Sequence, residues 1–312
     1  MNYKKIILII ISILGIATCS SKNDIQLSEN EKMQIYDIRY LVNDDGEYIM
    51  ENIIIETNLL NSETKYKSQN RVDGNSKKAK SPVSGAKIAE YSYSNVFPEE
   101  NEISFEYRSA IFLLNNDNKL ASIDKINLDI NSNMTSEKLD FNKLSDIKNI
   151  ISNDMFVYYN EWTEAQYTYN FALYSQYGID YLSENIASIY NYIYSYTGGA
   201  HGMYGTMHKV YTLDNGEKLK IDDILINVND SSLLNKVKQK LLSMANEDEG
   251  ISYFNLDELS LQDNNFYITS DALVFTWGVY EIAPYSTGES QVSFSKDEIT
   301  PYLKDEYKNI FE

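Results

Sequence analysis

One stretch of the chain, residues 188–219, constrains the fold more than any other part of the sequence. Side chains alternate between the two faces of an extended strand, so Ile189 and Ile193 share one face of its first half. The opposite face carries four tyrosines: Tyr190, Tyr192, Tyr194 and Tyr196. Four glycines follow, which allow positive φ angles or a close approach of the backbone: Gly198, Gly199, Gly202 and Gly205. The stretch therefore predicts a β-hairpin with an aliphatic face, an aromatic face and a tight turn.

Acidic residues outnumber basic ones in this chain, 46 to 27, which gives a formal net charge of −19. Nucleic acid is therefore not expected as a partner, because phosphate binding requires a basic surface. A cationic partner would be attracted by such a field, although solubility alone also explains an acidic surface. The apolar fraction of 43% is sufficient for a packed core in one large or two small domains.

The first 19 residues have the pattern of an export signal. Lys4 and Lys5 precede an apolar run at 6–16, which is shorter than the roughly 20 residues that a membrane-spanning helix needs. Cys19 follows and resembles the acylated cysteine of a bacterial lipobox, although Thr18 departs from the usual residue before it. We predict a lipoprotein signal peptide at 1–18, acylation of Cys19, for example with palmitate, and a tether at 19–32. The alternative is an ordinary signal peptide with a chance cysteine.

This predicted processing would place the protein outside the cytoplasm, anchored by lipid to a bacterial membrane. It would remove two lysines and no acidic residue, so residues 19–312 would carry 25 basic and 46 acidic side chains, a charge of −21. Cys19 is the only cysteine in the sequence, which excludes a disulfide within the chain and a cysteine-based metal site.

The first half of the chain is predicted to contain antiparallel strands followed by a helix. Apolar and aromatic residues indicate strands at 33–41 and 48–57, joined by a turn at Asp45 and Gly46, and the polar stretch 61–85 is interpreted as an exposed loop. Further strands are predicted at 86–95, 102–114 and 119–130. Residues 140–177 show helical spacing, with an interruption near Asn153 and an end at Gly178.

The second half is predicted to alternate between strands and helices. Strands are predicted at 207–213, 218–221, 266–269, 273–277 and 291–294. Asp230 begins an amphipathic helix, and Ser295 with Glu298 has the spacing of a capping box. The whole pattern predicts an α+β protein with antiparallel β-sheets and amphipathic helices packed on one face.

Residues for catalysis are scarce. His201 and His208 are the only histidines in the sequence, and motifs typical of zinc, nucleotide or serine-hydrolase sites are absent from it. His201 could act as a general base with Glu217 or Glu281, but hydrogen bonds that brace its own turn explain it more simply. We therefore expect no catalytic residue, metal or cofactor. The tyrosine face is the better candidate for binding, unless these rings lie beneath a helix.

Three segments carry a resemblance to a known family: TGGAHG at 197–202, YTLDNGEKLKIDDIL at 211–225, and residues 266–295 with their EIAPYSTG loop. They resemble the extracytoplasmic domain of unknown function 3298 with its companion 4163-type region. That family includes RsiV-type lysozyme-binding anti-sigma factors and PdaC-type peptidoglycan deacetylases. The resemblance implies helices packed on an antiparallel sheet. It divides the chain into a hairpin and polar loop at 33–85, a companion region at 86–205, a 3298-type domain at 206–303 and a tail at 304–312.

These observations favour a non-enzymatic binding module at the cell envelope. The resemblance implies lysozyme, a cationic protein, or cell-wall peptidoglycan as the partner. The candidate binding residues are Tyr194, Tyr196, Gly198, Gly199, His201 and Tyr285. The alternatives are a peptidoglycan hydrolase that uses His201 with a carboxylate, and a purely structural lipoprotein.

Overall fold

A computed structural model describes residues 28–42, 48–57, 64–71, 81–97, 103–164, 169–263 and 265–311. The predicted signal peptide, Cys19 and the Asp45 and Gly46 turn lie outside the described residues. Within them, no helix is long and apolar enough to cross a bilayer.

Nine strands in the described part of the chain form one large sheet, in the order β3-β2-β1-β4-β5-β6-β7-β8-β9. Neighbouring strands are antiparallel except β5 and β6, which run parallel. The strands are β1 Glu31–Val42, β2 Tyr48–Thr57, β3 Thr64–Arg71, β4 Gly85–Phe97, β5 Ile103–Leu114, β6 Phe171–Leu182, β7 Ile186–Thr197, β8 Met203–Thr212 and β9 Lys218–Leu219.

A second, three-stranded antiparallel sheet follows, with β11 at its centre. Its strands are β10 Phe266–Ile268, β11 Ala272–Trp277 and β12 Ser290–Ser295. The α-helices of the described residues are α1 Ala121–Ile130, α2 Leu144–Glu164, α3 Ile221–Ile224, α4 Ser231–Glu247 and α5 Lys296–Ile299. Short 3-10 turns occur at Leu256–Glu258, Tyr285–Thr287, Thr300–Tyr302 and Asp305–Tyr307.

The α+β class is confirmed, but the helices do not all pack on one face. The core around α2 contains Phe105 and Tyr107 of β5, whereas the core around α1 contains Ala110 and Phe112 of the same strand. Odd and even residues of a strand point to opposite faces, so α1 and α2 lie on opposite sides of β5. The sequence of β5 permits this arrangement because its second half is apolar on both faces.

Three of the predicted elements are wrong. Residues 119–130 form helix α1 rather than a strand, since Ile123, Ile126 and Ile130 are buried at helical spacing. The predicted loop at 61–85 contains strand β3. In place of the predicted helix at 140–177, α2 runs from Leu144 to Glu164 without a break near Asn153, and β6 begins at Phe171 and includes Gly178.

The predicted elements of the C-terminal layer are confirmed. The side chain of Asp230 caps α4 by accepting hydrogen bonds from the amides of Ser232 and Leu233 at 2.9 and 3.0 Å. Ser295 and Glu298 form the capping box of α5. Leu233, Val237 and Leu241 of α4 are buried in one core with residues of β10, β11 and β12.

Along the end of β5, two side chains from α1 and its C-cap make the hydrogen bonds that a neighbouring strand would otherwise make. The ladder with β6 covers only residues 105–108 of β5. Beyond it, the buried Asn131 accepts from the amide of Phe112 at 3.1 Å and donates to its carbonyl at 2.7 Å. Asn127 makes the same pair of bonds to Leu114, at 2.8 and 3.0 Å. These two amides satisfy backbone groups that the separation of β5 from β6 would leave without partners.

We expect Asn131→Ala to lower the free energy of unfolding by about 2–4 kcal/mol, because an unsatisfied buried amide and carbonyl each cost about 1–3 kcal/mol. Chemical denaturation would measure the loss. Asn149→Ala on the exposed side of α2 is the matched control and should change stability by less than about 0.5 kcal/mol. Equal losses in the two variants would contradict this role of Asn131.

Candidate binding site

Strands β6, β7 and β8 place their aromatic side chains on a common face. The register sets Tyr174 of β6 opposite Tyr194 of β7, and Tyr194 opposite Tyr204 of β8. It also sets Tyr192 opposite Thr206 and Tyr190 opposite His208. Directly opposite residues of paired strands point to the same side, so the predicted tyrosine face of β7 continues onto both neighbouring strands.

This face forms one wall of an open cleft with a volume of about 440 Å³ where β5, β6 and β7 meet. The rings of Tyr174 and Tyr194 stack with their centroids 5.5 Å apart and an interplanar angle of 16°. Glu106 and Asn170 add polar groups to the lining. The cleft is also lined by Tyr192 and Tyr196, which are only partly buried. Among the described residues, these rings border open space rather than the underside of a helix.

A tyrosine and a carboxylate set the polarity of the cleft. The hydroxyl of Tyr174 donates to the carboxylate of Glu106, and the guanidinium of Arg108 lies 5.7 Å from the centre of the Tyr174 ring. Burial, followed by the hydrogen bond to Glu106, raises the pKa of Tyr174 to about 12. Tyr174 therefore remains a neutral donor at physiological pH, and the cleft presents both flat apolar surface and oxygen acceptors.

The glycine turn closes one end of the tyrosine face. Gly198 and Gly199 have φ angles of 92° and 98°, which residues other than glycine rarely adopt. The hydroxyl of Tyr196 donates to the carbonyl of Gly199 at 2.9 Å. Gly202 lies directly against the ring of Tyr194, in space that a side chain would fill. Gly198 and Gly199, two of the candidate binding residues, therefore belong to a turn that supports the tyrosine face.

His201 braces this turn instead of forming an acid–base pair. Its Nδ1 lies 2.9 Å from the carbonyl oxygen of Gly202, which also accepts from the hydroxyl of Tyr285 at 2.8 Å. The imidazole stacks on the Tyr285 ring at 4.1 Å, and its Nε2 lies 3.4 Å from the hydroxyl of Tyr280. No carboxylate of the described residues bonds to it.

The carboxylates considered as partners for His201 have other contacts. Glu217 pairs with Lys125 of α1, and Glu281 accepts from the side-chain amide of Asn265 at 3.0 Å. The structure therefore does not assemble the acid–base pair of the hydrolase alternative.

His208, rather than His201, is the histidine that meets a carboxylate, and no local sequence pattern predicts this contact. Nδ1 of His208 lies 2.9 Å from Asp180, and the imidazole stacks on Tyr267 of β10 at 4.3 Å. Asp180 also accepts from the buried hydroxyl of Ser188 at 3.4 Å. Since His208 is only 7% exposed, this pair is enclosed by protein and links the large sheet to the small one. An irregularity in the β6–β7 register next to Asp180 hid its position from a simple alternation pattern.

Aromatic contacts continue from the cleft across β8 to the C-terminal layer. Tyr192 and Tyr204 have ring centroids 6.1 Å apart, and Tyr204 and Tyr285 are 5.6 Å apart. Tyr280 follows at 5.6 Å from Tyr285. The candidate residues named from the sequence thus lie in two places: Tyr194 and Tyr196 line the cleft, whereas His201 and Tyr285 lie beyond Tyr204.

The fold and this surface define an α+β domain with an open, aromatic face. Residues 114–204 match the family described as "Deacetylase PdaC", and residues 222–303 match the family described as "Protein of unknown function (DUF3298)". The chain therefore contains a PdaC-type region followed by a DUF3298 domain, which confirms the resemblance. Both are domain families of extracytoplasmic type.

A solved structure with a TM-score above 0.5 supports the same fold. A DUF3298 family member from Bacteroides fragilis has a TM-score of 0.54 at 19% identity, over 73% of this chain and 97% of the other. A DUF3298 family protein from Pseudomonas aeruginosa has a TM-score of 0.46 at 16% identity, over 70% of this chain and 94% of the other. No curated protein matched the chain. Within the described ranges, no group of three or more His, Cys, Asp or Glu side chains is arranged to hold a metal ion.

We expect Gly202→Ala to displace the Tyr194 ring and lower the free energy of unfolding by about 1–3 kcal/mol, the usual cost of overpacking. Near-ultraviolet circular dichroism should also change, because the Tyr174 and Tyr194 stack is disturbed. Gly205→Ala is the control from the same hairpin, since the nearest atom to its new methyl group is 4.0 Å away. Identical spectra and melting temperatures for the two variants would show that Tyr194 does not depend on Gly202.

Proposed function

We propose that this protein is a lipid-anchored binding module at the bacterial cell envelope, without catalysis, which holds cell-wall glycan in the tyrosine-lined cleft. The open cleft with its stacked Tyr174 and Tyr194 is the observation that carries the proposal. A pyranose ring has flat C–H faces and hydroxyl groups at its edge. The faces suit the tyrosine rings, and the hydroxyl groups suit acceptors and donors such as Glu106 and Asn170.

Two further observations favour a glycan. The family description "Deacetylase PdaC" for residues 114–204 fits an acetylated polymer as the ligand of this region. The cleft is also open to solvent, as a site for part of a long polymer must be, whereas sites for small molecules bury most of their ligand.

The hydrolase alternative has less support. Its proposed base, His201, contacts a backbone carbonyl and a tyrosine hydroxyl, and the enclosed His208 and Asp180 pair has little access to a ligand. A structural lipoprotein without a ligand would leave the exposed aromatic rings without a role.

A second candidate function is the binding of a cationic protein such as lysozyme. The formal charge of −21 on residues 19–312 favours it, since such a field speeds the approach of a cationic partner. Lysozyme binding would be sensitive to salt and would not require the cleft.

The test of glycan binding is co-sedimentation of the full chain, in detergent micelles, with purified peptidoglycan. We expect Tyr194→Ala to weaken binding at least about 5-fold, because it removes a stacking surface. Phe156→Ala, which removes an exposed ring on α2, should leave binding unchanged. Equal sedimentation of the wild type and Tyr194→Ala would contradict the role of the cleft. Salt-sensitive retention of lysozyme that survives Tyr194→Ala would instead support the second candidate.

The lipid anchor has its own test. Acylation of Cys19 predicts that the wild type incorporates a labelled palmitate analogue and fractionates with membranes, because acyl chains supply the membrane affinity. Cys19→Ala should lose the label, whereas Ser20→Ala should retain it. An unlabelled wild-type protein would favour the ordinary signal peptide.

A further inference from the structure

The ring of Tyr280 is held in an uncommon and exposed position. Its φ angle is 68°, in the left-handed region that non-glycine residues rarely adopt, and the residue is 49% exposed. Such a backbone is strained and persists where the surroundings enforce it, often at functional sites. Here the ring contacts Tyr285, and its hydroxyl lies near Nε2 of His201. The fold therefore maintains an exposed aromatic group in a strained conformation.

Tyr280 also lies at the end of an unbroken series of rings that starts in the cleft. Tyr192 and Tyr204 are separated by 6.1 Å, Tyr204 and Tyr285 by 5.6 Å, and Tyr285 and Tyr280 by 5.6 Å. Each ring has a polar group at its edge. The series thus connects the PdaC-type region at 114–204 with the DUF3298 domain at 222–303.

A second carboxylate lies along this series, as Glu106 does in the cleft. Glu289 accepts from the amide and the hydroxyl of Thr206, which hold it beside the rings. Burial, and then the charge of Glu289, raise the pKa of Tyr204, so this tyrosine is also a neutral donor. The cleft and the middle of the series therefore each combine aromatic rings with a fixed oxygen acceptor.

From this geometry we propose a second glycan subsite formed by Tyr280, Tyr285 and His201, so that one glycan chain extends from the cleft across β8 to the C-terminal layer. This inference rests on the proposed function and adds the length and path of the ligand. A ligand made of successive polar rings fits a series of aromatic rings with centroids about 6 Å apart better than a single small molecule does. Tyr280 supplies the terminal stacking surface, which explains why its strained conformation is maintained.

Calorimetric titration of the full chain in detergent with N-acetylglucosamine oligomers of different length tests the subsite. We expect a dimer to occupy the cleft alone and a hexamer to extend to Tyr280. We expect the hexamer to bind the wild type at least about 10-fold more tightly than the dimer, because binding to linked sites is additive in free energy. Tyr280→Gly should weaken hexamer binding by about 5- to 10-fold and leave dimer binding unchanged.

The variants separate loss of the ring from loss of the fold. Glycine adopts the left-handed conformation freely, so Tyr280→Gly should melt no lower than the wild type. Tyr280→Phe keeps the ring and should retain hexamer affinity within about 2-fold, as should the distant Phe156→Ala.

Three results would overturn the second subsite. A hexamer that binds no more tightly than the dimer, or an unchanged hexamer affinity in Tyr280→Gly, would do so while leaving the cleft and the proposed function intact. Failure of both oligomers to bind would overturn it as well, and co-sedimentation with peptidoglycan would then decide the proposed function separately.

Discussion

A short parallel ladder joins β5 to the strands that carry the tyrosine face. Only four residue pairs join β5 to β6, from Phe105 with Phe171 to Arg108 with Tyr174. Parallel neighbours require a long crossover, which the chain provides as α1 and α2. Past these four pairs the two strands separate, and Asn127 and Asn131 satisfy the released edge of β5. The cleft lies at this junction, where Glu106 of β5 meets Tyr174 of β6.

The antiparallel hairpins of this fold are easier to predict from the sequence than the crossover between β5 and β6. Antiparallel neighbours such as β7 and β8 follow from alternation and turn glycines, and the sequence indicated both strands. The crossover was harder to predict. Residues 119–130 are rich in isoleucine, which favours a strand. Only the packing of these isoleucines against Phe112 and Tyr177 selects the helix α1. A glycine suits the end of a helix, which is the position that the sequence predicts for Gly178. It also suits a close approach of an aromatic ring, and in the structure the Tyr190 ring lies against Gly178.

The candidate site was predictable to a similar degree. Alternation along β7 identified its tyrosine face, because that pattern is local. Glu106, Tyr174 and Tyr204 could not be assigned to the same face, since their positions depend on the register of strands far apart in the sequence. The two histidines differ in this respect. The position of His201 among glycines favours a brace of its own turn, and its contact with the Gly202 carbonyl agrees with this, whereas no local pattern indicates that His208 meets a carboxylate.

The enclosed contact of His208 with Asp180 and Tyr267 bears on how this polypeptide can be divided. The PdaC-type match ends at residue 204 and the DUF3298 match begins at residue 222, so the interval contains most of β8 and all of β9. A domain boundary placed within this interval would separate β8 from β7 or from the small sheet that includes Tyr267. The PdaC-type region and the DUF3298 domain therefore share strands and buried contacts. A chimeric protein should exchange the two regions together.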